Sequence, residues 1–187
     1  IFLLFVNYKK KFTKIKKFKI PIICVGNIYI GGTGKTPTSI HLAKELNKLG
    51  KKPYILRKYY KNHVDEHRLI QINYKNLLIK NNRANALKEL EKSNCDTVIL
   101  DDGLQDYKIK KDLNIVCFNS NQLIGNGLTL PAGPLRENLI ALKDAHIVII
   151  NGNMVKSFEK KILNINPNLE IFYSFYEPIN IEKFKNK

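Results

Sequence analysis

Residues 20–36, I-P-I-I-C-V-G-N-I-Y-I-G-G-T-G-K-T, constrain the chain more than any other stretch. Ile22, Ile23, Cys24 and Val25 are an unbroken apolar run, the pattern of a strand buried on both faces of a parallel sheet. A loop carrying Gly26, Gly31, Gly32 and Gly34 follows and ends in Lys35-Thr36. The next segment predicts an amphipathic helix with Ile40, Ala43, Leu46 and Leu49 on one face and Gly50 at its C-terminus. Strand, glycine-rich loop, Lys-Thr and helix together make a phosphate loop. The glycines let backbone N–H groups close on phosphate oxygens, and the helix N-terminus adds unpaired donors. Lys35 reaches terminal phosphates and the Thr36 hydroxyl ligates Mg²⁺ in such loops. The glycine that the standard pattern carries five residues before Gly34 is Tyr29 here, so the loop is a variant. The plainer alternative is a strand–helix turn that binds nothing.

The 187 residues suffice for one substantial core. The net charge of +16 comes mostly from lysine and fits either a solvated basic surface or a patch for an anionic partner. Cys24, Cys95 and Cys117 lie in or beside apolar runs, with neither a close pair nor a histidine at ligand spacing. They read as small buried residues in a reducing compartment and argue against zinc. Residues 1–6 are apolar but far too short to span a bilayer. Seven lysines follow within residues 9–19, without an acidic residue. That order is wrong for a signal peptide and suits an anionic membrane surface; a frayed basic terminus is the alternative.

Downstream, Pro53–Arg57 predicts a strand with Arg57 at its carboxyl end, where ligands gather in open α/β sheets. Residues 61–67 read as a polar loop carrying Asp65 and Glu66, and 69–72 with 77–79 as a strand pair. Residues 83–92 predict a helix with Ala84, Leu87 and Leu90 inward. Residues 97–100 are a strand that delivers Asp101 and Asp102, about 65 residues after the loop, as the second nucleotide motif does to hold Mg²⁺. Gln105 and Asp106 follow directly. Strands at 114–118, 146–151 and 170–176 and helices at 138–144 and 158–163 complete the pattern. A long Gly/Pro loop at 125–137 between them has the length of a functional loop. The alternation predicts an α/β domain of P-loop NTPase type, doubly wound around a mainly parallel sheet.

These motifs together resemble the tetraacyldisaccharide 4′-kinase family. The residues that carry the resemblance are V-G-N-I-Y-I-G-G-T-G-K-T-P (25–37), L-R-K-Y-Y (56–60), D-E (65–66), Arg83, D-D-G-L-Q-D (101–106), G-N-G-L-T-L-P-A-G-P-L-R-E (125–137) and I-I-N-G (149–152). The resemblance implies transfer of the γ-phosphate of ATP to the 4′-hydroxyl of a lipid A precursor, a tetraacyldisaccharide 1-phosphate. It implies the cytoplasmic face of the bacterial inner membrane, with residues 1–19 as the membrane-proximal segment, 20–178 as the kinase domain and 179–187 as a tail. It assigns ATP to Tyr29, Ile30, Gly31, Gly32, Thr33, Gly34, Lys35 and Thr36, and Mg²⁺ to Thr36, Asp101, Asp102 and Glu137. Lys35, Arg57, Asp102, Gln105 and Arg136 become catalytic positions, Asp65 the general base, and Tyr59 and Arg83 further active-site residues.

The chain departs from the family at Val64 and His67 around D-E, at Asp106 in place of a histidine, and in lacking the family's C-terminal lobe. With no initial Met, it reads as a fragment or truncated homologue. The alternatives are an ATP-binding homologue without turnover, a partitioning or metallochaperone P-loop ATPase or GTPase, and a nucleic-acid binder. Ile30 stands where the partitioning type needs lysine. The chain has neither a nucleic-acid module nor interleaved aromatics, so no nucleic acid is expected. The sequence sets no oligomeric state.

Overall fold

The computed structural model describes residues 12–60 and 64–176. The N-terminal apolar run and the tail expected at 179–187 lie outside the described residues. Seven strands form one sheet in the order β3-β2-β4-β1-β5-β6-β7, with every pairing parallel. They are β1 (Ile22–Gly26), β2 (Pro53–Lys58), β3 (Leu77–Lys80), β4 (Thr97–Asp101), β5 (Leu113–Asn119), β6 (Ile147–Asn151) and β7 (Glu170–Ser174). The helices are α1 (Lys35–Lys48), α2 (Val64–Asn73), α3 (Arg83–Leu90) and α4 (Lys156–Leu163), with a 3₁₀ helix at Leu139–Asp144.

The two-residue period of each strand divides its side chains between the sheet's faces. Val25, Ile55, Ile99, Ile115 and Cys117 pack with Ile40 and Ala43 of α1 and with Ile70 of α2. Their neighbours in sequence, Cys24, Leu56, Val98 and Leu100, face the other way onto Ala86, Leu87 and Leu90 of α3. Further along that face, Val116, Phe118, Val148 and Ile150 meet the 3₁₀ helix and Phe158 and Ile162 of α4. Phe118 and Phe158 meet edge to face, with ring centroids 5.0 Å apart. Strands buried on both sides explain the unbroken apolar runs in the sequence.

The described segments correct four expectations. Residues 69–72 are helical, not a strand; His67, Ile70 and Tyr74 are buried at helical spacing, and the edge strand 77–80 pairs instead with β2. Asp65 and Glu66 therefore sit in the first turn of α2 rather than on an open loop. Leu49 is 76% exposed, because α1 ends one residue earlier and Gly50 (φ +78°) turns the chain away. In α3 the inward set is Arg83, Ala86, Leu87 and Leu90; Ala84 is only half-buried. Cys24 and Cys117 are buried as expected, and Cys95 is half-buried.

Candidate functional site

β1 lies between β4 and β5, so the loops leaving its carboxyl end and that of β4 open at one sheet edge. The loop after β1 is tied to the 134–136 segment: Ile30 N–H donates to Pro134 O (2.9 Å) and Arg136 N–H donates to Ile28 O (2.7 Å). Tyr29 bridges Leu135 in the same ladder. That pairing gives a physical reason for the missing glycine, since position 29 is a short strand here rather than a tight turn. Gly31 and Gly34 have positive φ (+115° and +85°), and a side chain at Gly31 or Gly32 would point into open space. That space is where backbone N–H groups can meet phosphate.

The predicted polar residues converge beside this loop. Arg57 and Asp101 are register partners across β2 and β4, and their side chains form an ion pair. Asp101 also accepts from the hydroxyls of Thr36 (3.2 Å) and Ser39 (3.0 Å), and Arg57 donates to Thr36 Oγ1 (3.1 Å). Arg57 is paired on its other side with Glu66 of α2. These contacts make Asp101 the anchor of Thr36 and Arg57.

Asp102, next in the chain, points elsewhere. Its φ of +55° is unusual for a residue with a side chain. Arg83 holds this turn by donating to the main-chain oxygens of Asp101 and Asp102, both at 2.8 Å. The Asp102 carboxylate then meets Arg136 (3.0 Å) and Lys35 (3.8 Å). Burial lowers the Lys35 pKa from its ordinary value, while the Asp102 charge opposes the shift.

Gln105 donates to Glu137 Oε1 (2.8 Å) and to Asn27 O (3.0 Å), so it bridges the aspartate loop and the 125–137 segment. Tyr107 lies behind Glu137; burial first, and then the Glu137 carboxylate, push its phenol pKa far up. Beyond Asp102 opens a cavity of about 410 Å³, lined in part by Lys58, Arg83, Asp106, Lys108 and Arg136. Asp106 sits 3.7 Å from Arg83. Asp65 is exposed, one residue before Glu66, which belongs to the cluster. Tyr59 is half exposed and stacks on His67 (centroids 5.8 Å apart).

Sequence reasoning missed Ser39 and Glu66 as an ion-pair partner, and it gave no role to two buried asparagines inside the quoted motifs, Asn27 and Asn151, that touch the loop. Ser39 lies one turn after Lys35-Thr36, and that spacing was the available signal.

A profile of the tetraacyldisaccharide-1-P 4′-kinase family, LpxK, matches residues 3–186. The chain belongs to this family. Among tetraacyldisaccharide 4′-kinases, that of Pelagibacter ubique is 46% identical over 174 residues, that of Ruthia magnifica 36% over 195 and that of Francisella philomiragia 34% over 176. These alignments cover 91%, 91% and 82% of this chain but 55%, 62% and 54% of the relatives, so the chain spans just over half the length of these kinases. A crystal structure of an "apo" form of LpxK from Aquifex aeolicus in complex with ATP superposes with a TM-score of 0.68 at 22% identity, over 96% of this chain and 82% of that one. This tetraacyldisaccharide 4′-kinase homologue thus shares the doubly wound P-loop fold. Among its described residues no helix is long and apolar enough to cross a membrane.

Proposed function

We propose that this chain carries the nucleotide-binding and phosphoryl-transfer machinery of a tetraacyldisaccharide 4′-kinase. The single observation that supports this most is the convergence of Lys35, Thr36, Arg57, Asp101, Asp102 and Arg136 beside one glycine loop. The donor is ATP and the acceptor is the 4′-hydroxyl of a tetraacyldisaccharide 1-phosphate. The loop N–H groups of residues 29–36 cradle the phosphates, and Lys35 neutralises their terminal charge. Arg136 supplies a second cation from the opposite loop, and Arg57 holds Asp101 and Thr36 in register.

Among the described residues no three acidic, histidine or cysteine side chains form a ready metal cage. Thr36, Asp101 and Asp102 would still suit Mg²⁺, which is held by one or two carboxylates together with substrate phosphates, whereas Glu137 is held by Gln105 and does not group with them. Bound there, Mg²⁺ would neutralise phosphate charge. Asp101 is engaged by Arg57, Thr36 and Ser39 and Asp102 by Arg136 and Lys35, so either carboxylate would give up a protein partner to take the ion. In the transfer, the acceptor hydroxyl loses its proton to Asp65, its oxygen takes the γ-phosphoryl group, and ADP leaves.

A lipid acceptor requires the enzyme to work at a membrane. Lys14, Lys16, Lys17 and Lys19, with exposed Phe12 and Ile15, suit the anionic cytoplasmic face of the bacterial inner membrane. The test is incubation of the full-length protein with Mg·ATP and tetraacyldisaccharide 1-phosphate in anionic vesicles. The expected product is the acceptor heavier by one phosphate, absent with Lys35→Ala. ATP binding without that product would sink the kinase reading. Flotation with anionic vesicles rather than retention on DNA is expected, and salt should weaken it.

A further inference from the structure

We propose that Asn151 is a positioning residue of the phosphate loop, and that the Ser174 hydroxyl fixes which way its amide faces. The inference rests on the nucleotide-binding reading above. Thr33 is the one buried residue of the loop 29–34, at 1% exposure. It is gripped from two sides. Asn27 Nδ2 donates to Thr33 Oγ1 (2.9 Å) and to Gly31 O (3.3 Å). Asn151, 6% exposed at the carboxyl end of β6, donates from Nδ2 to the main-chain oxygen of Thr33.

The orientation of the Asn151 amide is set by its partners. Nδ2 faces Thr33 O and, at 3.4 Å, Phe118 O. Carbonyl oxygens only accept, so the end that meets them is the NH₂. The other end, Oδ1, accepts from Ser174 Oγ of β7, the register partner of Asn151. A side chain at Gly34 would run into this amide, so the close approach of Asn151 itself requires glycine there. Tyr176, two residues beyond β7, adds a hydroxyl donor to Gly34 O at 3.3 Å.

This brace matters because the loop is rich in glycine and explores many conformations on its own. A loop that must be ordered when phosphate arrives binds it more weakly than one already in place. Asn151 holds the Thr33–Gly34 peptide immediately before Lys35, so it governs where the first N–H groups of α1 point. The brace also links the sheet edge at β7 to the phosphate site through one side chain.

The test compares wild type, Asn151→Asp, Ser174→Ala and Ser174→Thr in the full-length protein. Calorimetry reads the affinity for Mg·ATP and for tripolyphosphate, which carries no base. Asn151→Asp keeps the shape but cannot donate, and it sets a negative charge against Thr33 O. It should weaken both ligands by similar factors of about 10–100, as expected for loss of a buried hydrogen bond. Ser174→Ala should weaken both less, and Ser174→Thr, which retains the hydroxyl, should bind as wild type does. The thermal midpoint without ligand should hold in the Ser174 variants, which a merely structural role would not predict alongside weaker phosphate binding. If Asn151→Asp does not fold, the Ser174 pair decides. Wild-type affinity in folded Asn151→Asp, or equal affinities in Ser174→Ala and Ser174→Thr, would overturn the inference alone. Failure of the wild type to bind Mg·ATP would overturn the nucleotide reading and this inference with it.

Discussion

The guanidinium of Arg57, 2% exposed, is ion-paired to the fully buried carboxylate of Asp101 on the neighbouring strand. The parallel register of β2 and β4 sets these residues side by side. The pair carries two hydroxyls of α1, those of Thr36 and Ser39, so the sheet fixes the position of the helix that follows the phosphate loop. Burying two charges is worthwhile only if each is met, and here Glu66 supplies the second anion for Arg57.

Removing one partner should therefore hurt more than removing both. Arg57→Met leaves Asp101 buried with hydroxyl donors alone and is expected to destabilise the fold by about 3–5 kcal/mol. The double variant Arg57→Met/Asp101→Leu should recover much of that loss. Urea denaturation of both proteins checks this. A single variant with wild-type stability would mean that the pair contributes nothing to the fold.

The strands were legible because burial on both faces writes an apolar run, as at 22–25 and 97–100. Lys35, Thr36 and the two aspartates were legible because loop and strand end fall in a fixed order along the chain. The helix at 64–73 was not, since exposed Leu69 and Ile72 broke the period that His67, Ile70 and Tyr74 set. The pairing of Arg57 with Asp101 was not legible, because strand register is a long-range property. Asn151 lay inside a quoted motif, I-I-N-G, but its role did not show for the same reason: it meets the loop from 118 residues away. No local pattern tells that an asparagine's partner is a distant carbonyl.

Lys35 makes a pH-dependent prediction. Its pKa is lowered in the fold, chiefly by burial, with Asp102 pulling it back toward 10.5. The unfolded chain then holds more protons between the folded value and 10.5, so this group's contribution to stability rises with pH across that window. Bound phosphates favour the ammonium form and reverse the shift. ATP affinity should thus weaken on raising the pH at lower values than an ordinary lysine would dictate, with proton uptake on binding. Calorimetry in buffers of different ionisation heat reads the uptake. Lys35→Ala should remove it together with most of the affinity, while circular dichroism stays unchanged.

The buried thiols supply a probe of the core. Burial pushes Cys24 up to about 11 and Cys117 up to about 12. At neutral pH both are almost wholly protonated and shielded, and a thiol in that state is a poor nucleophile. Iodoacetamide should modify half-buried Cys95 first and leave the other two until urea opens the sheet. Peptide mass spectrometry resolves the three sites. Early labelling of Cys117 would place β5 away from α1.

Four acidic residues, Asp65, Glu66, Asp101 and Asp102, compete for the role of base, and their partners separate them. Asp101 is enclosed by Arg57, Thr36 and Ser39. Asp102 is engaged by Arg136 and Lys35. Glu66 holds Arg57, so its lone pairs serve the ion-pair cluster. Asp65 is exposed on the first turn of α2, beside Glu66, which leaves its carboxylate accessible to an acceptor. A carboxylate that accepts the hydroxyl proton contributes roughly 10²–10⁴-fold to rate. Asp65→Asn should therefore lower turnover by about that factor with ATP affinity unchanged. Glu66→Gln should act differently: it frees Arg57, so both ATP affinity and stability should fall. Steady-state kinetics of the two variants in the full-length protein, paired with ATP titration, discriminate the roles. Wild-type turnover by Asp65→Asn, with loss only in Glu66→Gln, would move the base to Glu66 and make the Arg57 pair a resting arrangement that the acceptor must break.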